Sequence, residues 1–138
     1  MEHDTCPPPL PIPVGAKLSA DQCPKTHEEE EDMSRVPYAS AFESLMYAMV
    51  CTRLDIAHAV GVLSRYMSKP GKEHWTIVKR VFRYLRGTSS YGLCYERRPR
   101  LERVVYIHGF VDADWVGDLD RRRSTSGYVF NLFGGAIS

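Results

Sequence analysis

The sequence contains no apolar run long enough to span a bilayer, and its opening, MEHDTCPPPLPIPVG, has neither the basic start nor the long apolar stretch of a secretory signal. These absences lead us to expect an intracellular protein, cytoplasmic or nuclear, with no membrane partner. Cysteine is sparse. Cys6, Cys23, Cys51 and Cys94 show no paired metal-ligand spacing and read as reduced structural thiols. No G-x-S-x-G elbow, Walker loop or Cys–His pair with an orienting partner is found, so those classes of hydrolase and nucleotidase have no motif to stand on. His58, His74 and His108 share no metal-site spacing, and His74 in KEHW is expected in the first turn of a helix.

What is present is an ordinary globular composition of 138 residues, 43% hydrophobic and 25% charged. The net charge of +1 conceals a segregation. Residues 1–32 carry eight acidic and two basic side chains, whereas residues 69–103 carry ten basic and three acidic, a balance that attracts phosphate backbones or makes a solvated basic face. Six of the nine prolines fall in the first 24 residues, and the HEEEEDMSR that follows places four glutamates side by side. Residues 1–33 are therefore expected to be a Pro-rich, acidic arm or linker.

From Pro37 onward the apolar period is helical. Tyr38, Phe42, Leu45 and Met49 mark a first helix. Thr52 and Asp55 form a capping pattern ahead of a second stripe, Ile56, Val60, Leu63 and Met67, which SKPG terminates. Trp75, Val78, Phe82 and Leu85 make a third stripe, with Gly87 where a left-handed cap would fall. This predicts a small three-helix bundle over residues 34–88. Lys79, Arg83 and Arg86 recur on one face of the third helix with Arg80 beside them, and Arg97, Arg98 and Arg100 follow. Such a surface suits nucleic-acid backbone contact or simple solvation. Trp75, Tyr84 and Tyr91 are candidates for base stacking, although the spacing of Trp75 favours the core.

After Gly87 the period changes to that of strands. YGLCY, RVVYIHGFV and GYVFNLF are rich in β-branched and aromatic residues, and FGG reads as a turn into a further strand beginning AIS. The fold class is therefore α+β, helices followed by antiparallel strands over residues 89–138. No closing helix follows, so an incomplete sheet with an exposed apolar face is expected. The strand GFVDADWVGDLD places Asp112, Asp114, Asp118 and Asp120 close together. Hard cations such as Mg²⁺ prefer carboxylate oxygen, and Asp112, at the apolar strand, is the leading metal candidate. Alternation puts Asp114 on the same side if the strand continues; if the chain turns first, Asp112 stands alone. Two other readings remain open: a solvated turn in which these aspartates pair with Arg121, Arg122 and Arg123, and the D-x-D-x-[TV] loop of haloacid dehalogenase-like phosphatases, with Asp112 as nucleophile.

The long string VPYASAFESLMYAMVCTRLDIAHAVGVLSRYMSKPGKEHWTIVKRVFRYLRGTSSYGLCY, followed by GFVDADWVGDLDRRRSTSGYVFNLFGGAIS, resembles the Pol polyprotein of Ty1/copia-type retrotransposons of plants. The resemblance runs from about Lys17 to the end, with SLMYAMVCTR, GKEHW and STSGYVF as its most specific strings. It implies a reverse transcriptase thumb or connection over the helical part and the start of an RNase H domain over the strands. It also implies Asp112 as the first Mg²⁺-binding carboxylate of that nuclease. The implied partners are an RNA–DNA hybrid or duplex, gripped through its backbone by Lys79, Arg80, Arg83 and Arg86, and the remaining Pol segments.

This chain departs from the family pattern in three places: Leu54 replaces a proline, Phe42 and Glu43 replace Ile-Gly, and Val111 replaces a threonine. The polymerase aspartates and the later RNase H carboxylates are not in the 138 residues, so the chain by itself is expected to have neither activity. The competing expectation is a stand-alone basic helical module that binds nucleic acid or protein.

Overall fold

The structure, a computed structural model, describes residues 7–95, 106–114, 120 and 124–137. It comprises two compact units, Met1–Ser89 and Ser90–Ser138. The first is helical and the second is a three-stranded antiparallel sheet, which makes the chain α+β.

In the helical unit a 3-10 turn, Ala20–Gln22, precedes α1 (His27–Ser34), α2 (Tyr38–Cys51), α3 (Ala57–Ser64) and α4 (Lys72–Gly87). Two of these elements lie within the stretch read from sequence as an arm. The glutamate run forms a helix because its start is capped: the Thr26 hydroxyl accepts from the Glu29 amide at 3.3 Å, and the Glu29 carboxylate accepts from the amides of Lys25 and Thr26 at 2.8 and 3.3 Å. The Lys25 amide, with that of Thr26, holds the Glu29 carboxyl below its ordinary value. Met33, at the far end of α1, is buried.

The core is built from α2, α3 and α4. Tyr38, Phe42 and Leu45 of α2 are buried, as the sequence pattern requires, with Met49 at the margin. Ile56, Val60 and Leu63 are buried too, each contributing about 1.5–3 kcal/mol by leaving water. Met67 lies past the end of α3 and is exposed. The Tyr38 hydroxyl donates to the Leu63 carbonyl at 3.2 Å, joining α2 to α3, and burial pushes its pKa up to about 12. Glu43 is exposed and so does not disturb packing. Leu54, exposed in a short 3-10 turn (Leu54–Ile56), sits where a proline is easily replaced.

Helix α4 departs from the sequence reading. Its buried side is His74, Ile77, Val78, Val81 and Tyr84, whereas Trp75 and Leu85 are only part-buried and Phe82 is exposed. Apolar residues occupy about half of this helix's circumference, so periodicity allows two stripes that share Val78. Ile77, Val78 and Val81, with Tyr84, face the core, and the rings of Trp75 and Phe82 stay at the rim. His74 is in the first turn, as expected, but it is wholly buried: Nδ1 accepts from the Gly71 amide at 2.9 Å, and its ring stacks on Tyr66 at 4.0 Å. Gly87 is not a left-handed cap. The helix is closed by Thr88, whose amide and hydroxyl both donate to the Tyr84 carbonyl.

Thr52 caps no helix with its side chain, in contrast to the capping pattern read from sequence. Asp55 instead meets Arg53, with Nε to Oδ1 at 2.9 Å and Nη2 to Oδ2 at 2.7 Å, and it accepts from the Tyr84 hydroxyl at 2.7 Å. Arg53 also reaches the Thr88 carbonyl and hydroxyl and lies over the Tyr84 ring. This cluster ties the α2–α3 connection to the last turn of α4.

In the second unit β1 (Ile107–Asp114) pairs antiparallel with β2 (Thr125–Leu132), which pairs with β3 (Gly135–Ala136). Phe133 and Gly134 form a two-residue turn with φ of 51° and 79°, both left-handed, as tight hairpins require. Residues 91–95, read from sequence as a strand, have no regular structure. Tyr95 nevertheless joins the sheet, its hydroxyl donating to the Ala136 carbonyl at 2.7 Å.

Candidate nucleic-acid interface

With about 100° of rotation per residue, Lys72, Thr76, Lys79, Arg83 and Arg86 fall on one arc of α4, opposite Ile77, Val81 and Tyr84. Burial of the apolar side fixes which arc faces water. Lys79, Arg83 and Arg86 are exposed. Arg80 stands about a quarter turn away, half-buried, with its Nε enclosed and lacking a hydrogen-bond partner. Of the four basic residues singled out from sequence, three therefore share the open face. Phe82 joins that face at its edge, 39% exposed, between Lys79 and Arg86 on the ridge that starts at Trp75. Tyr84, a candidate base stacker, is committed to Asp55 and the core. Trp75 is part-buried with its ring 6.4 Å from that of Tyr38, and Tyr91 is exposed.

The basic arc is partly neutralised at its N-terminal end. Lys72 Nζ lies 2.9 Å from Asp32, and Lys69 Nζ lies 2.7 Å from Glu30, so acidic α1 holds two lysines. Hydrogen bonding to these carboxylates raises both lysine pKa values and lowers those of the partners. All four side chains are solvent-exposed, so the pairs respond to salt and contribute little to stability.

On the sheet, β1 runs on through Asp114, so positions 112 and 114 share a face; the alternative in which the chain turns after Asp112 is removed. Asp112 is exposed and lies opposite Gly127, which leaves the space across from it open. Asp118, Arg97, Arg98, Arg100 and Arg121 to Arg123 lie outside the described residues, and of the acidic turn only Asp120 is described. A carboxylate at position 112 suits Mg²⁺ as one donor. Among the described residues, no group of three or more His, Cys, Asp or Glu side chains could hold a metal ion. Apolar side chains, including Ile107 and Val111 on one face and Phe110 on the other, are exposed. No helix among the described residues is long and apolar enough to cross a membrane.

Sequence reasoning missed the Arg53–Asp55–Tyr84–Thr88 cluster and the His74 cap. The partners of the first are about thirty residues apart and leave no periodic trace. The second needed His74 to be read as an acceptor for the amide three residues earlier.

No protein-family model and no solved structure matches the chain. Among curated proteins it is 53% identical over 128 residues to the retrovirus-related Pol polyprotein from transposon TNT 1-94 of Nicotiana tabacum, an alignment that covers 93% of this chain and 9% of the polyprotein. It is 36% identical over 120 residues to the corresponding polyprotein from transposon RE2 of Arabidopsis thaliana, covering 87% of this chain and 8% of that one. It is also 52% identical over 106 residues to secreted RxLR effector protein 161 of Plasmopara viticola, covering 77% of this chain and 72% of the effector. The chain thus spans less than a tenth of the two polyproteins. These comparisons do not favour the phosphatase reading or the stand-alone module. The chain belongs to the family of retrovirus-related Pol polyproteins of Ty1/copia-type plant transposons.

Proposed function

We propose that this chain is the stretch of a copia-type Pol polyprotein that joins reverse transcriptase to RNase H. In this reading its helical unit contacts the template–primer as a thumb or connection, and its sheet opens the nuclease fold. The similarity to the tobacco polyprotein over 93% of the chain carries the reading. The basic arc of α4 supports it, because Lys79, Arg83 and Arg86 present cations to a phosphate backbone without any base-reading geometry. Asp112 is the carboxylate this segment would contribute to an Mg²⁺ site, with position 114 two residues further along the same face of β1. In this reading further carboxylates, from outside the described residues, complete that Mg²⁺ site, and the chain by itself carries out neither reaction.

The test is a chimera in which this chain replaces its counterpart in the tobacco polyprotein. The chimera should extend a primer and cleave the RNA of a hybrid. Asp112→Asn should abolish cleavage while sparing extension, and joint replacement of Lys79, Arg83 and Arg86 by alanine should weaken hybrid binding. Cleavage that persists in the Asp112→Asn chimera refutes the nuclease assignment.

A further inference from the structure

We propose that the outer face of α4 takes an unpaired nucleic-acid strand, with Phe82 as the platform on which a base stacks between Lys79 and Arg86. This rests on the nucleic-acid reading above and specifies its substrate. Phe82 has the spacing of a core residue, yet the structure leaves it at the rim, 39% exposed, while Ile77, Val78, Val81 and Tyr84 fill the interior. It lies one turn beyond Lys79 and one turn before Arg86, so the ring is bracketed by cations on a single ridge about 10 Å long.

Base pairing and stacking decide which substrate this ridge can use. A duplex offers its phosphates to Lys79 and Arg86 but hides the faces of its bases in the stack, leaving Phe82 nothing to cover it. An unpaired strand offers both the backbone charge and an open base face, and stacking on an aromatic ring tolerates any base. Trp75, at the other end of the ridge, is part-buried against the core, its ring 6.4 Å from that of Tyr38.

The experiment measures binding of the full chain to a labelled oligothymidylate and to a mixed-sequence duplex of equal length across a salt series. The wild-type chain should bind the single strand more tightly at matched salt. Phe82→Ala should weaken single-strand binding about tenfold, leave the salt slope and duplex binding unchanged, and be rescued by Phe82→Trp. Because Phe82 is exposed and alanine favours helix, circular dichroism should show the variant folded. Salt-dependent binding by wild type that is indifferent to Phe82→Ala overturns the stacking inference and leaves the backbone reading standing. Equal losses on strand and duplex overturn the choice of substrate. Binding to neither nucleic acid, or only to anionic vesicles used as a control, overturns both readings.

Discussion

Replacing Asp55 by alanine removes the acceptor of two guanidinium bonds and of the Tyr84 hydroxyl. The Arg53 side chain is 16% exposed and that of Asp55 is 41% exposed, so the pair is neither a solvated surface bridge nor a fully buried one. Charge-assisted bonds contribute about 1.5–3 kcal/mol where solvent is excluded, and exposed pairs about 0–1 kcal/mol. The Asp55 side of the pair must be discounted for screening, while the Tyr84 hydroxyl, on a buried residue, is deprived of its carboxylate acceptor. A net cost of about 1–2 kcal/mol follows, with about 1 kcal/mol for Tyr84→Phe.

The pH dependence gives a sharper test. The Arg53 hydrogen bond is the main cause that holds the Asp55 carboxyl below its ordinary value, assisted by Tyr84, so the folded state binds that proton more weakly than the unfolded state. The contribution is therefore complete above the ordinary aspartate pKa of about 3.9 and is lost as pH falls through the folded value. Urea titrations followed by helical circular dichroism at several pH values would measure it. The difference between wild type and Asp55→Ala should be constant near neutrality and shrink below about pH 4. A difference under about 0.3 kcal/mol at neutral pH, or one that persists undiminished in acid, refutes this role for the cluster.

Three further outcomes are expected. Gly71→Ala places a methyl group against the backbone carbonyl of Gln22, which cannot swing aside, so the helical unit should be destabilised by about 1–3 kcal/mol in chemical denaturation. Glu30→Gln with Asp32→Asn releases Lys69 and Lys72, so nucleic-acid affinity and its salt slope should both rise; unchanged binding means that α1 does not mask the basic arc. Because Tyr38 titrates near 12 when folded and 10.0 is its ordinary value, its share of stability is intact below pH 10 and is lost as pH rises toward 12; alkaline unfolding should be less steep in Tyr38→Phe.

Periodicity is a good guide where a helix has one apolar stripe and a poor one where it has two. Tyr38, Phe42 and Leu45 are legible because only small or polar residues, Ala39 to Ala41 and Glu43 with Ser44, lie between them. On α4, Trp75 and Phe82 compete with Ile77 and Val81, and only packing against α2 and α3 decides the winner. The glutamate run reads as solvated, yet the Thr26–Glu29 capping box starts a helix there and the buried Met33 anchors its far end. Strand order and the Phe133–Gly134 turn are legible from turn chemistry, whereas YGLCY has strand composition without strand structure. Among site residues, alternation anticipates that Asp112 and Asp114 share a face, but Phe82 cannot be found until the core is known.

The central claim is that the basic arc of α4 meets a nucleic-acid backbone, and the most direct measurement is the salt dependence of hybrid binding by the intact chain. The logarithm of affinity should fall linearly with the logarithm of salt concentration. The slope should become shallower when Lys79, Arg83 and Arg86 are replaced together, by about 0.7–0.9 for each phosphate that is no longer neutralised. Binding that ignores salt, or a triple variant that binds as wild type does, would contradict it.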